Sequence, residues 1–256
     1  MTYRAVLFDL FDTLVRFDRD LLPELTVKGK VIRSTAGKLH ETFQSYAPDV
    51  ELHAFVEALQ WSWQEAEKIR NDAHREVAAP ERIEFLLRRL GLDGSGLDPA
   101  AVPALLDAHR RELSRAIVFP AHHGPLLRAL RERYRLAVVS NFDYTPTALG
   151  VLEREGIAHL FDIILISDEV GWRKPKAVIF ETALERLGIA PGEALFVGDR
   201  IDIDVAGARA AGLGSAWINP DAVPLPEGAS PPDFEVRDLA ELGPILGIAE
   251  GPQGIS

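Results

Sequence analysis

The chain has 256 residues, a formal net charge of −11 and no cysteine. The absence of cysteine excludes disulfides, thiolate nucleophiles and cysteine-ligated zinc or iron–sulfur sites, so a metal ion would need oxygen or imidazole ligands. The basic residues are dispersed along an acidic chain, which argues against nucleic acid or an anionic membrane surface as a partner. No apolar run approaches the roughly 20 residues that a membrane span needs. We therefore expect a cytoplasmic protein.

Five short apolar runs predict the buried strands of a parallel sheet. They lie at 5–8, 136–139, 163–166, 194–197 and 214–218. Segments with a 3.6-residue period lie at 122–133, 145–155, 177–187 and 204–211. Strand alternating with helix is typical of a doubly wound α/β fold, in which helices cover both faces of the sheet.

The segment 16–118 follows a different pattern. Long amphipathic stretches occupy 50–75, 79–90 and 98–115, with no convincing strand among them. We therefore predict an all-helical cap domain at 16–118, inserted into an α/β core domain made of 1–15 and 119–256. After the last apolar run, a segment rich in Pro and Gly leads to a short edge strand and a terminal helix within 234–246.

Polar residues follow the predicted strands. The first strand is followed by Asp9–Leu14 (DLFDTL), the second by Ser140–Asp143 (SNFD), the third by Gly171–Pro175 (GWRKP), and the fourth by Gly198–Asp204 (GDRIDID). In doubly wound sheets, ligands bind beyond the carboxyl ends of the strands, where loops and helix N-termini converge. A carboxylate, a hydroxyl–amide pair, a lysine and an acidic loop should therefore share one edge of the sheet.

This ordered set of four motifs resembles the haloacid dehalogenase-like hydrolase superfamily, in the branch that carries a helical cap after the first strand. The resemblance covers residues 1–15 and about 119–219; the cap is similar only in position and helical character. The stretch from the second to the third motif looks most like uncharacterised phosphatase-like members. The resemblance implies a Rossmann-like core and a hydrolase, and it names no substrate.

The resemblance also implies roles for particular residues. Asp9 would attack phosphorus and form an aspartyl-phosphate, and Lys174 would neutralise the charge of nucleophile and phosphoryl group. Phosphate oxygens would be held by Thr13, Ser140 and Asn141. A Mg²⁺ ion would be bound by Asp9, the carbonyl group of Phe11, Asp199 and Asp204. The expected partner is a small phosphorylated metabolite, and the chain would be a monomer or a homodimer.

One position departs from the pattern of the family. Its phosphatases usually place an acid–base Asp two residues after the nucleophile, where this chain has Phe11. Asp12 is one position further on and is a doubtful substitute. This departure leaves three alternatives to a phosphatase: a haloacid dehalogenase, a hydrolase similar to phosphonoacetaldehyde hydrolase, and a non-catalytic descendant that binds Mg²⁺ and a ligand.

Two other groups of residues invite a functional interpretation that the sequence does not support. His122 and His123 lie at the start of a predicted helix, and because no third ligand is near them in sequence we interpret them as structural. Asp202 lies inside the acidic loop but is better explained as a solvated residue in a first helical turn than as a metal ligand.

Overall fold

The computed structural model describes residues 2–92 and 96–248. It contains two compact units. The first unit comprises 2–16, 119–142 and 148–248, and the second comprises the described part of 17–118 together with 143–147. The short segment 143–147 thus belongs with the insertion, whereas the sequence placed it in the α/β domain. No described helix is long and apolar enough to cross a membrane.

The strands and helices are numbered along the chain. The strands are β1 Ala5–Phe8, β2 Arg16–Phe17, β3 Glu24–Val27, β4 Lys30–Arg33, β5 Ile117–Val118, β6 Arg135–Ser140, β7 Ile163–Ile166, β8 Ala194–Gly198, β9 Gly214–Ile218 and β10 Phe234–Val236. The helices are α1 Ala36–Phe43, α2 Leu52–Ala73, α3 Ala79–Arg89, α4 Ala101–Arg115, α5 His123–Arg131, α6 Thr145–Arg154, α7 Ser167–Val170, α8 Ala177–Leu187, α9 Ala206–Ala210 and α10 Leu242–Ile245.

The first unit is built on a six-stranded sheet in the order β10-β9-β8-β1-β6-β7. All of its strand pairs are parallel. All four residues of β1 are fully buried, which explains why the strand is a continuous apolar run and not an alternating one. Because β1 lies between β6 and β8, the residues that follow these three strands emerge side by side. The predicted doubly wound sheet is confirmed, including the edge strand β10 and the helix α10.

The turn after β8 differs from its prediction. The sequence predicts one helix over 204–211, but the structure has a π-helical turn at Ile201–Val205 that leads into α9. The chain begins to coil earlier because the carboxylate of Asp204 accepts a hydrogen bond from the backbone N–H of Arg200, and this bond holds the preceding residues in the turn.

The second unit has an apolar core formed mainly by its helices, with Phe43, Phe55, Ile83, Leu86 and Leu105 among its buried members. The prediction of an all-helical insertion is wrong at its N-terminal end, where β3 and β4 form an antiparallel hairpin. The two-residue turn is Lys28-Gly29, with positive φ at both residues. Such a turn normally has Asn or Asp at its first position, so Lys28 hid the hairpin from sequence reasoning.

The second unit also buries a group of charges, here named the insertion cluster: Arg70, Glu76, Arg82 and Asp143. Each of these residues is less than 10% exposed. The Arg70 guanidinium lies 3.0 Å from Glu76 Oε1 and 3.2 Å from Asp143 Oδ2. Arg82 Nε lies 3.0 Å from the same Asp143 oxygen. Two cations therefore face two carboxylates, so the charges of the insertion cluster cancel where they are buried.

Candidate active site

Asp9 follows the central strand β1 directly. Its backbone N–H donates to the carbonyl group of Val197 at 2.9 Å, so the sheet holds the residue in place. Its Oδ1 accepts a hydrogen bond from the N–H of Leu10 at 2.7 Å. The N–H groups of Leu14 and Val15 both donate to the Leu10 carbonyl group at 2.9 Å and close a tight loop. The sheet thus fixes the backbone of Asp9, and the N–H of Leu10 orients its carboxylate.

Lys174 reaches this carboxylate from the loop between α7 and α8. Its side chain is 1% exposed, and its Nζ lies 2.9 Å from Asp9 Oδ1 and 2.8 Å from Asp204 Oδ1. The ammonium group also lies 5.0 Å from the centroid of the Phe196 ring, within the range of a cation–π contact. Burial by itself would lower the pKa of Lys174, but Asp204 and Asp9 raise it above its usual value. The lysine therefore remains a cation.

Asn141 fixes the backbone of this lysine. Its Nδ2 donates to the Lys174 carbonyl group at 2.9 Å, and the Lys174 N–H donates to its Oδ1 at 2.8 Å. The sequence predicted Asn141 as a phosphate ligand, and the structure places its amide against the lysine backbone. One N–H of the amide remains for a phosphate oxygen, so the predicted role stays a prediction.

Asp204 is fully buried between a lysine and a backbone N–H. Its Oδ1 pairs with Lys174, and its Oδ2 accepts from the N–H of Arg200 at 3.0 Å. A Cβ atom on Gly198 would lie 2.4 Å from the carboxyl carbon of Asp204. Glycine is therefore required at the end of β8 for Asp204 to approach the strand. Sequence reasoning missed this requirement, although Gly198 directly precedes Asp199 in the acidic motif.

Asp199 differs from Asp204 in the contacts of its carboxylate. No donor among the described residues 2–92 and 96–248 contacts its carboxylate, and burial, followed by the charges of Asp9 and Asp204, raises its pKa to about 7. One oxygen each from Asp9, Asp199 and Asp204 lies within 4.8 Å of the others. Three carboxylates facing one lysine leave an excess of negative charge, and an all-oxygen donor set suits Mg²⁺. These residues fit the predicted ion, while the contribution of the Phe11 carbonyl group remains a prediction.

Two buried hydroxyl groups belong to the sequence motifs of the site. One lies in the loop after β1, and the other is on the last residue of β6. Thr13 Oγ1 and Ser140 Oγ are buried and have no hydrogen-bond partner in the described part of the chain. Leaving a buried donor unsatisfied costs about 1–3 kcal/mol, so a ligand that accepts from these hydroxyls would recover part of that cost. A phosphate oxyanion is one group that accepts from hydroxyls, and the roles of Thr13 and Ser140 as phosphate ligands stay predictions.

Phe11 and Phe142 form an aromatic pair beside the Asp9 loop. Their ring centroids are 4.6 Å apart. The Phe142 backbone is held in turn by Ser167, a buried residue that the sequence did not single out, whose Oγ accepts the Phe142 N–H at 2.9 Å. Asp12, next to Phe11, is exposed and has a φ of 59°. The position of the family's second Asp is thus occupied by an apolar side chain, and the exposed Asp12 carboxylate does not lie in its place.

Asp202 lies in the acidic loop but outside the group of three carboxylates. Its two oxygens pair with the guanidinium of Arg200 at 3.1 and 2.9 Å, and both side chains are exposed. This surface pair agrees with the interpretation of Asp202 as a solvated residue.

A family model described as haloacid dehalogenase-like hydrolase matches residues 3–212. The chain belongs to this family. The haloacid dehalogenase-like core therefore accounts for the strand order and for the motifs at the carboxyl ends of β1, β6 and β8.

The relatives of this hydrolase include both phosphatases and dehalogenases. It is 33% identical over 255 residues to the phosphoserine phosphatase of Thermus thermophilus, covering 93% of this chain and 97% of that protein. It is 28% identical over 255 residues to the (S)-2-haloacid dehalogenase of Pseudomonas sp. strain YL, covering 97% and 96%. The crystal structure of YfnB from Bacillus subtilis, bound to magnesium, has the same fold, with a TM-score of 0.61, 24% identity and coverage of 97% and 100%.

Proposed function

We propose that this hydrolase is a Mg²⁺-dependent phosphatase that cleaves a small phosphorylated metabolite through an aspartyl-phosphate. The observation that carries the proposal is Asp199, a carboxylate without a cation of its own beside Asp9 and Asp204. Displacement of halide from an alkyl carbon needs no such cation, whereas attack on a phosphate dianion does. The Thermus phosphoserine phosphatase is a relative over nearly the whole chain.

In this mechanism Asp9 attacks the phosphorus atom. A bond forms between its carboxylate oxygen and phosphorus, and the ester P–O bond breaks. The leaving oxygen keeps the electron pair of that bond, departs as an alkoxide or phenolate, and takes its proton from solvent. Water then attacks the phosphorus and loses a proton to solvent, the bond between phosphorus and the Asp9 oxygen breaks, and phosphate and the free carboxylate are released. The Mg²⁺ ion, when bound, supplies positive charge beside the phosphoryl group.

The chain's own residues hold the phosphoryl group for this attack. Lys174 is already paired with Asp9 and extends the positive charge to the phosphoryl oxygens. The unpartnered hydroxyls of Thr13 and Ser140 donate to the same oxygens. These donors are present before the substrate arrives, so they need little reorganisation during the reaction.

The leaving group receives no proton from position 11. General acid–base catalysis contributes roughly 10²–10⁴-fold, and the Phe11–Phe142 pair offers no proton donor. Esters of acidic alcohols, which leave without protonation, should therefore be cleaved far better than alkyl phosphates. Position 11 also offers no general base to the water that attacks the aspartyl-phosphate, so product should appear in a burst.

The test is a rate measurement with Mg²⁺ on p-nitrophenyl phosphate, an alkyl phosphate and a 2-haloacid. We expect turnover of the aryl ester in the wild type and none in Asp9→Asn, while Asp202→Asn, an exposed acidic control, keeps wild-type rates. Full turnover in EDTA would contradict the proposed dependence on Mg²⁺. Phe11→Asp should raise alkyl-phosphate turnover by up to roughly 10²-fold; a neutral effect on every ester would assign the acid–base role elsewhere.

A second candidate is a 2-haloacid dehalogenase, favoured by Phe11 and by the similarity to the Pseudomonas dehalogenase. In the same assay, it predicts halide release from the 2-haloacid in EDTA and no phosphate release from any ester. Release of halide with Asp9 intact and Asp199 replaced by Asn would favour this candidate over the phosphatase.

A further inference from the structure

A second group of metal-ligating side chains lies in the first unit, away from the three carboxylates. His122 and His123 are at the start of α5, and Asp238 follows β10. One ligand atom from each lies within 4.8 Å of the others. The sequence gave no third ligand for the two histidines because Asp238 is 116 positions from His122. The fold brings that third ligand to them.

His123 has the hydrogen bonding of a metal ligand. It is only 5% exposed, and its Nδ1 lies 2.9 Å from the carbonyl oxygen of Leu14. A carbonyl oxygen can only accept, so Nδ1 bears the proton and Nε2 bears a lone pair. No partner for Nε2 occurs among residues 2–92 and 96–248. Histidines that bind metals usually donate their other ring N–H to a backbone carbonyl or a carboxylate in this way.

The other two ligands lie at the surface. His122 Nε2 lies 2.9 and 3.0 Å from the two carboxylate oxygens of Asp238, and the two side chains are 52% and 46% exposed. Asp238 Oδ1 also accepts the N–H of Ala240 at 2.8 Å, which orients the carboxylate. A cation can therefore reach the group from solvent. To bind an ion through Nε2, His122 would bear its ring proton on Nδ1 and offer the Nε2 lone pair.

We propose that His122, His123 and Asp238 bind one divalent transition-metal ion of the Zn²⁺ or Co²⁺ type, independently of the carboxylate site. Two imidazoles and one carboxylate suit such an ion, while the all-oxygen set at Asp9 suits Mg²⁺. The ion would tie the segment after β10 to the start of α5. Through the Leu14 carbonyl group it would also brace the loop that follows Asp9.

The experiment is a Co²⁺ titration of the full chain in excess Mg²⁺, followed by visible absorption and by thermal unfolding. Mg²⁺ occupies oxygen ligands and competes poorly for imidazole. We expect one Co²⁺ per chain, a visible band of an imidazole-ligated ion, and a raised unfolding midpoint. His122→Gln, at an exposed position, should weaken Co²⁺ binding at least about tenfold and remove the band. His159→Gln, an exposed histidine in the same unit, is the matched control.

Three outcomes would overturn the proposal. The first is a wild-type chain that binds no Co²⁺ in excess Mg²⁺. The second is wild-type affinity in His122→Gln, or an equal loss in His159→Gln, which would indicate nonspecific surface imidazole binding. The third is loss of the band in Asp199→Asn, which would place the ion among the three carboxylates; retention of the band in that variant supports a separate site.

Discussion

The two units of this hydrolase each bury charged side chains, but only one of them balances the charges. In the insertion cluster, Arg70 and Arg82 form ion pairs with Glu76 and Asp143. At the candidate active site, a single lysine faces three carboxylates. A balanced group is complete as it folds, while an excess of like charge needs a ligand to complete it. The comparison therefore separates a buried ionic group that serves the fold from one that serves chemistry.

The largest effect should come from unbalancing the insertion cluster. Asp143→Asn leaves two buried guanidinium groups facing one carboxylate of the cluster, and breaking a buried pair in this way costs about 3–5 kcal/mol. Urea unfolding of the variant should show a loss of this size. A loss below 1 kcal/mol would show that the cluster contributes little to the fold.

At the candidate active site, removing a charged group should instead raise the free energy of unfolding. Burial and neighbouring carboxylates raise the pKa of Asp199 to about 7, so its charged form is disfavoured in the folded state. Its unfavourable contribution grows as pH rises from the ordinary carboxyl value to about 7 and is constant above that. In metal-free protein at pH 8, Asp199→Asn should therefore raise the free energy of unfolding by about 1–3 kcal/mol. Destabilisation by this variant would contradict the charge imbalance.

A smaller, pH-dependent effect should come from His109 in the second unit. Burial, followed by the charge of Arg82, lowers its pKa to about 4, so the folded state disfavours the imidazolium. Stability should then be constant above pH 6.5 and fall as pH drops from 6.5 to 4. Because the side chain remains partly exposed, we expect about 1–2 kcal/mol. Unfolding curves across this range should lose that part of the pH dependence in His109→Gln.

The smallest effect should come from a surface ion pair of the second unit. Arg75 and Glu81 make a bidentate contact at 3.0 and 2.8 Å, but both side chains are more than 30% exposed. Exposed pairs contribute about 0–1 kcal/mol. Glu81→Gln is therefore the control for Asp143→Asn, and an equal loss in both variants would remove the distinction between buried and surface pairs.

Sequence reasoning predicted the first unit well, because continuous apolar runs mark buried parallel strands and parallel topology fixes which loops meet. That rule brought Asp9, Lys174, Asp199 and Asp204 to one edge from three separate motifs. It had no means of finding Asp238 beside His122, since the contact depends on how the C-terminal segment packs.

The second unit was predicted less completely. Amphipathic periodicity located α2, α3 and α4, but the insertion also contains α1 and a hairpin whose turn begins with lysine. In the sequence, Asp143 is the last residue of the SNFD motif and carries no other signal. Its burial against Arg70 and Arg82 follows from tertiary packing that no local pattern reports.

The double hydrogen bond between Asn141 and Lys174 also bears on how the lysine can be studied. Both of these hydrogen bonds are to the main chain of residue 174. They therefore do not depend on which side chain that residue bears. Lys174→Met should therefore keep the loop in its present course while removing the ammonium group. A kinetic comparison of that variant with the wild type would measure how much one positive charge contributes to the hydrolase reaction, without a change in the backbone.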